Sequence, residues 1–131
     1  MSASALRILV VDDNPLNIEL ASFVLEADGM SVESAGDAMQ ALEFLDRSQP
    51  ELVLMDIQMP GMDGLELTRR LKADPRMQQL VIVAFTAYAM KGDEARLRAA
   101  GCDGYLAKPI DVSSFARSVR GIWQDVQLRR R

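Results

Sequence analysis

Five short apolar runs alternate with five longer amphipathic stretches along the chain, and this alternation limits its possible folds more than any other feature. The lengths of the runs and their β-branched residues predict β-strands. The runs are Arg7–Asp12, Met30–Ala35, Glu51–Asp56, Leu80–Thr86 and Gly104–Lys108. Strands and helices that alternate at this length predict parallel strands joined by right-handed crossovers. The expected fold class is therefore α/β, a three-layer sandwich with five helices.

The stretches between the runs carry the start and stop signals of helices. Asn14 followed by Pro15 is typical of an N-cap and a first helical position. Gly101 is typical of the residue that follows a helix end, and apolar residues from Val112 to Trp123 share one helical face. The helices are predicted to begin at Pro15, Asp37, Leu65, Met90 and Asp111.

Strand composition also predicts how the strands are arranged. Runs one, three and four are nearly all apolar, as strands covered on both faces must be. Run two alternates polar and apolar residues and run five is short and mixed, so these two are expected at the edges. This pattern is compatible with a flavodoxin-like sheet of order 2-1-3-4-5, in which ligands bind beyond the carboxyl ends of strands one and three. We expect one domain over residues 1–131, with its core at about 5–124 and no output domain.

Composition excludes several classes of chemistry. The chain has no histidine and one cysteine, which excludes a disulfide framework, a zinc cluster and a histidine-based catalytic triad. No apolar run approaches the roughly 18 residues of a membrane span. The first nine residues also lack the apolar stretch of a signal peptide. We therefore expect a cytoplasmic protein that does not enter the membrane.

Charge is divided unevenly along the chain. The net charge is −4, but residues 1–66 carry −11 and residues 67–131 carry +7. An acidic half is suited to a hard cation and a basic half to a phosphate or an acidic partner, unless both are simply solvated helix faces. A pI of about 4.8 argues against a direct nucleic-acid ligand.

Four of the five runs end in residues that can carry out chemistry, and the carboxyl ends of parallel strands meet at one rim. The residues are Asp12, Asp13, Asp56, Thr86 and Lys108. Clustered carboxylates stay ionised when a cation and an ammonium share their site, and oxygen ligands without His or Cys select Mg²⁺ or Mn²⁺. Lys108 and the hydroxyl of Thr86 suit phosphate oxygens, so the pattern indicates metal-assisted phosphoryl transfer. Asp56 is the expected nucleophile, because a carboxylate needs no general base at neutral pH.

Four motifs, spread in order over essentially the whole chain, resemble those of the receiver domains of bacterial two-component response regulators. The matching segments are Val10–Asn14, Leu54–Gly64, Ala84–Ala87 and Tyr105–Pro109. The sequence also looks like single-domain division-control regulators and receivers of hybrid histidine kinases. The resemblance implies a phosphoacceptor module for phosphorelay signalling, in which Asp56 takes a phosphoryl group from a histidine kinase or histidine phosphotransfer protein. Such a module is not a turnover enzyme, since it catalyses only its own phosphorylation and slow autodephosphorylation.

The resemblance assigns roles to the matching residues around Asp56. Mg²⁺ would be bound by Asp13, Asp56 and the backbone carbonyl of Gln58, while Asp12 would act through water. Lys108 would pair with Asp56 and then with the phosphoryl group. A cis Lys108–Pro109 peptide bond would help to hold that lysine, since X-Pro is the one common place for a cis bond.

The resemblance also implies how the signal is passed on and how it ends. Thr86 would move to bond the phosphoryl group and Tyr105 would rotate into the space left behind, which changes the surface of the fourth helix, fifth strand and fifth helix. A downstream effector of unknown identity would read that surface. The phosphodonor would dock on Asn14, Pro15, Leu16 and Asn17 and on the loop at Lys108–Pro109. We also hypothesise that Gln58 and Tyr88 gate water and so set the lifetime of the labile aspartyl phosphate.

Three other interpretations remain to be weighed. An aspartate-nucleophile phosphatase carries a second Asp two residues after the nucleophile, where this chain has Gln58. A flavodoxin-type cofactor module has a Ser/Thr/Gly-rich loop after the first strand, where this chain has Asp12–Pro15, and clustered carboxylates would repel a flavin phosphate. A receiver that is never phosphorylated would lack some of the residues that are present here, which are Asp13, Asp56, Thr86 and Lys108.

Overall fold

A five-stranded parallel sheet forms the centre of the computed structural model, which describes residues 5–59, 61, 64–87 and 93–130. The strands are β1 (Arg7–Val11), β2 (Ser31–Ala35), β3 (Leu52–Asp56), β4 (Val81–Thr86) and β5 (Gly104–Ala107). The helices are α1 (Pro15–Ala27), α2 (Ala38–Arg47), α3 (Gly64–Lys72), α4 (Asp93–Ala100) and α5 (Phe115–Arg129), with a short 3₁₀ turn at Pro75–Met77. The strand order is β2-β1-β3-β4-β5, so the predicted fold class and order are confirmed.

Two hydrophobic clusters lie on opposite faces of the sheet, because successive residues of a strand point to opposite sides. On β1, Ile8 belongs to the cluster under α1 and α5, whereas Leu9 belongs to the cluster under α2, α3 and α4. Every residue of β3 and β4 is buried, while β2 and β5 are partly exposed. This difference explains why strand composition predicted which strands are central.

Local side-chain bonds fix two of the predicted helix starts. The Asn14 side chain accepts a hydrogen bond from the backbone N–H of Leu16 at 2.9 Å, and Pro15 occupies the first position of α1. Asp37 accepts one from the N–H of Gln40 at 2.8 Å and caps α2. Each cap satisfies a backbone donor that the helix itself leaves open.

The predicted start of the last helix at Asp111 is wrong. The carboxylate of Asp111 accepts hydrogen bonds from the N–H and hydroxyl of Ser113, at 3.1 and 2.7 Å, which closes a turn. Helix α5 therefore begins at Phe115, and Val112 is exposed rather than part of the buried face. The predicted start at Met90 lies outside the described residues, of which Asp93 is the first in α4. Among the described helices, none combines the length and apolar character needed to cross a bilayer.

Candidate functional site: an acidic cluster with one lysine

The ends of β1 and β3 bring three carboxylates together. Asp12 and Asp13 follow β1 directly, and Asp56 is the last residue of the neighbouring strand β3. Each of the three offers an oxygen, and these oxygens lie within 4.8 Å of one another. Asp12 and Asp56 are buried, whereas Asp13 is exposed. Two of the charges are thus held away from water and the third faces it.

Backbone amides hold both buried carboxylates. Asp12 Oδ1 accepts a hydrogen bond from the N–H of Asn14 at 2.9 Å, and Asp56 Oδ1 accepts one from the N–H of Gln58 at 3.0 Å. Each bond spans two residues and forms an Asx-type turn at a strand end. The side chain of Gln58 itself is exposed.

Lys108 is the ammonium that faces this cluster. Its Nζ lies 3.0 Å from Asp12 Oδ2 and 3.6 Å from Asp56 Oδ2. Asp12 Oδ2 is buried and has no aligned hydrogen-bond donor among the described residues, so its contact with Lys108 is electrostatic. The Nζ also lies 5.1 Å from the centre of the Phe85 ring, within cation–π distance. The Lys108–Pro109 peptide bond that follows is cis.

One ammonium does not balance three carboxylates. The pKa of Asp56 rises from 3.8 to about 6, chiefly because burial disfavours the charged form, although the hydrogen bond from Gln58 lowers it. The charges of Asp12 and Asp13 contribute to this rise, while Lys108 opposes it. Hard divalent cations prefer ligands that are all oxygen atoms and that carry negative charge. The three carboxylates provide both, so these residues fit such an ion.

Helix α3 packs directly on the backbone of Asp56, a contact that the sequence reasoning missed. A Cβ at Gly64 would overlap the carbonyl oxygen of Asp56, so only glycine allows this approach. The N–H of Gly64 also donates to the carbonyl of Ile57 at 3.1 Å. The sequence signal that could have predicted this contact is Gly64 itself, at the end of the loop that follows Asp56.

The remaining predicted residues lie on the two outer strands. Thr86 ends β4 and is buried, and its carbonyl accepts a hydrogen bond from the N–H of Lys108 at 2.8 Å. Tyr105 on β5 is half-buried, and its hydroxyl donates to Glu94 Oε1 on α4 at 3.2 Å. Neither the sequence pattern nor the motifs pointed to Glu94. Tyr88 lies outside the described residues.

The amino-acid sequence is similar to known proteins over most of its length. Residues 8–120 match the model of the response regulator receiver domain. The chain is 39% identical over 118 residues to the polar-differentiation response regulator DivK of Brucella anthropi, covering 90% of this chain and 96% of that protein.

Solved receiver domains have the same architecture. The receiver domain of sensor histidine kinase PA1611 from Pseudomonas aeruginosa, with a magnesium ion coordinated in its active site cleft, is 32% identical with a TM-score of 0.81. That similarity covers 92% of this chain and 98% of the other. The signal receiver domain of a histidine kinase from Syntrophus aciditrophicus is 30% identical with a TM-score of 0.82, covering 93% and 92%.

Replacing Asp56 by Asn is expected to stabilise the chain at neutral pH. The change removes a buried charge and its repulsion by Asp12 and Asp13, while the amide oxygen of Asn still accepts the bond from Gln58. Because the folded-state pKa of Asp56 lies above its unfolded value, the wild type loses stability as the pH rises from 3.8 to about 6. We expect Asp56→Asn to gain on the order of 1–2 kcal/mol in free energy of unfolding at pH 7.5, measured with urea.

The gain should shrink at pH 5, where the wild-type carboxyl group is largely protonated. Asp37→Asn is the matched control, because Asp37 is exposed and Asn also caps helices. If the gain in free energy of unfolding did not change with pH, or if Asp37→Asn gave the same gain, the buried charge of Asp56 would not be its cause.

Proposed function

Because the chain belongs to the family of response regulator receiver domains, we propose that Asp56 accepts a phosphoryl group from a phosphohistidine of a partner protein. The family is one of signalling domains rather than turnover enzymes. The observation that carries the proposal is the position of Asp56, whose carboxylate ends a central strand beside two other carboxylates and 3.6 Å from Lys108 Nζ. The 131 residues contain no histidine, so the donor histidine lies outside them, and we propose a histidine kinase or a histidine phosphotransfer protein as its source.

In the proposed reaction an Asp56 oxygen forms a bond to phosphorus as the bond from phosphorus to the donor imidazole breaks. The electron pair of that bond leaves with the imidazole nitrogen, which then takes a proton from water. With a pKa of about 6, Asp56 is mostly ionised at neutral pH and needs no general base. A loose transition state asks the protein mainly for alignment and positive charge, and Lys108 supplies part of that charge.

The proposal includes Mg²⁺ or Mn²⁺ as cofactor, held by Asp13, Asp56 and the backbone carbonyl of Gln58, with Asp12 acting through water. The all-oxygen cluster supports this assignment, as does the magnesium ion in the related domain of PA1611. When bound, the ion supplies positive charge against the oxygens of the phosphoryl group. Asp12 meanwhile holds Lys108 at the rim of the site through their 3.0 Å contact.

We further propose that Thr86 and Tyr105 convert phosphorylation into a change of surface. The phosphoryl group adds nearly two negative charges and three acceptor oxygens, to which the Thr86 hydroxyl and Lys108 would donate. The adjacent strand ends that carry these two residues support this role. Movement of Thr86 opens space for Tyr105, whose hydroxyl is now bonded to Glu94 on α4. Breaking that bond alters the α4-β5-α5 surface, which a protein effector rather than nucleic acid would read.

Incubation with acetyl phosphate and MgCl₂ is expected to give one labile phosphoryl adduct by intact mass spectrometry. Asp56→Asn should abolish the adduct, and Lys108→Ala should slow its formation by about 100-fold, the usual cost of one electrostatic group at a transition state. The control Asp37→Asn should be labelled like the wild type. An adduct that persists in Asp56→Asn, or that forms equally fast in EDTA, would overturn the proposal.

A protein donor needs a docking surface, and α1 offers one beside the acidic cluster. Leu16, Leu20 and Phe23 are spaced so that they share one face of the helix, and Leu16 and Phe23 are 73% and 69% exposed. Val112, from the loop after β5, borders the same groove as Phe23. The sequence predicted docking at Asn14–Asn17 and at Lys108–Pro109, and this apolar face continues from those residues.

Phe23→Ser is therefore expected to slow transfer from a phosphorylated kinase by about tenfold, roughly the loss of one buried aromatic contact. Labelling by acetyl phosphate should not change, because Phe23 is not among the residues of the acidic cluster. The donor is a histidine kinase that phosphorylates the wild-type chain, and Met39→Ser, on the exposed face of α2, is the control. Equal transfer rates for Phe23→Ser and Met39→Ser would reject the docking face.

Gln58 and Tyr88 are proposed to limit the access of water to the aspartyl phosphate. The exposed side chain of Gln58, whose backbone binds Asp56, supports its part in this role. Replacing either residue by Ala is expected to change the phosphoryl half-life several-fold, measured by loss of the adduct after removal of acetyl phosphate. An unchanged half-life in either variant would contradict the hypothesis.

The alternative functions lack comparable support. Gln58 stands where a phosphatase of this chemistry needs an acid, and the cluster of carboxylates opposes a flavin phosphate. The proposal places the reaction in the cytoplasm, where thiols such as that of the unpaired Cys102 stay reduced.

A further inference from the structure

A cavity of about 260 Å³ lies at the opposite end of the sheet from Asp56. Its lining comes from the amino ends of β1, β3 and β4, the end of α2, the 3₁₀ turn and the last turns of α5. None of the acidic-cluster residues takes part. We propose that this cavity binds a small organic anion with a flat apolar body, a function separate from phosphorylation.

The charges around the cavity favour an anion. Three arginines line it against one carboxylate, that of Glu51. Arg7 lies 3.8 Å from Glu51, and Arg76 is paired with Asp74 at 3.0 Å. Arg130 differs from these two, because the bonds that Nη1 donates among the described residues go to the carbonyl and amide oxygens of Gln79, at 2.9 and 3.3 Å.

Within the described ranges of the chain, Arg130 therefore has no compensating carboxylate. No carboxylate lies within ion-pair distance of its guanidinium in the part of the chain that the structure describes. A guanidinium has five N–H donors, and the bonds to Gln79 use one nitrogen. The remaining donors suit a carboxylate or another planar anion, which binds such a fork in two-point fashion.

The floor of the cavity is apolar and includes an aromatic ring. Leu45, Met77 and Leu80 are buried side chains in its wall, and Trp123 from α5 is half-buried there. A flat apolar body would stack on the indole and replace water against these side chains. The volume lies near the lower end of small-molecule sites, so the ligand is of fragment size.

Gln127 supplies an independent sign of a missing partner. Its side chain lines the cavity, and Nε2 is buried with no hydrogen-bond acceptor among the described residues. Buried amide donors nearly always have an acceptor. A rotation of the Gln127 side chain would present Nε2, which is buried as it stands, to an oxygen of a bound anion while Arg130 provides the opposite charge.

Benzoate is the probe for this proposal, because it combines a flat ring with one carboxylate. Trp123 is the only tryptophan of the chain, so its indole N–H gives a single resonance in a ¹H–¹⁵N spectrum. We expect benzoate to shift that resonance with saturation and a Kd on the order of 1 mM, typical of so small a ligand. Benzamide, which is neutral, and acetate, which has no ring, should each bind at least fivefold more weakly.

Arg130→Gln should weaken benzoate binding about tenfold, whereas the neighbouring Arg129→Gln should not, because Arg129 lies outside the cavity and faces Asp125. Gln127→Leu should weaken binding without lowering the melting temperature, since it removes an unpartnered donor. Equal binding of benzoate and benzamide, equal effects of the two arginine changes, or no saturable shift of Trp123 would overturn the proposal. Acetyl phosphate labelling should be the same in all these variants, which separates this test from that of the phosphoacceptor.

Discussion

The unequal balance of charge at the carboxyl ends of β1 and β3 is the constraint on which the rest of the candidate site depends. Taking a carboxylate out of water is costly unless a partner charge and hydrogen bonds compensate it. Asp12 and Asp56 each obtain one backbone amide and share the ammonium of Lys108. The compensation is incomplete, as the raised pKa of Asp56 indicates. A site in this condition gains free energy from an added cation, and a phosphoryl group in turn needs the positive charge that such a cation and Lys108 bring.

The fold holds Asp56 by more contacts than it holds Tyr105. Asp56 ends a strand buried on both faces, and α3 is pressed on its backbone at Gly64. Tyr105 lies instead on the edge strand β5, half-buried and tied to α4 by one exposed hydrogen bond to Glu94. One bond of this kind contributes about 1 kcal/mol, less than a few charge-assisted bonds to a phosphoryl group supply. In the proposed switch, a phosphoryl group would therefore move the edge strand while the central strands keep their positions.

The sequence predicted the fold because burial on two faces leaves a clear record in strand composition. It also predicted which side chains meet at the rim, since strand ends in a parallel sheet converge wherever the loops lead. It failed at Asp111, because a side-chain turn through Ser113 competed with the first turn of α5. The sequence pattern did not predict contacts that depend on how separate helices and strands pack against one another. The close approach of Gly64 to Asp56 and the bond from Tyr105 to Glu94 are of this kind.

Helix α5 connects the two ends of the sheet, and this has a thermodynamic consequence. At its start, the ring of Phe115 lies 5.5 Å from that of Phe85, over which the Lys108 ammonium is placed. At its end, Trp123 and Gln127 line the cavity. A rigid helix that touches both places can shift as a unit and so couple them. By thermodynamic linkage, an anion that binds the phosphorylated chain more tightly than the free chain must stabilise the phosphorylated state by the same factor. If its two affinities are equal, it leaves the phosphorylation equilibrium unchanged, however tightly it binds.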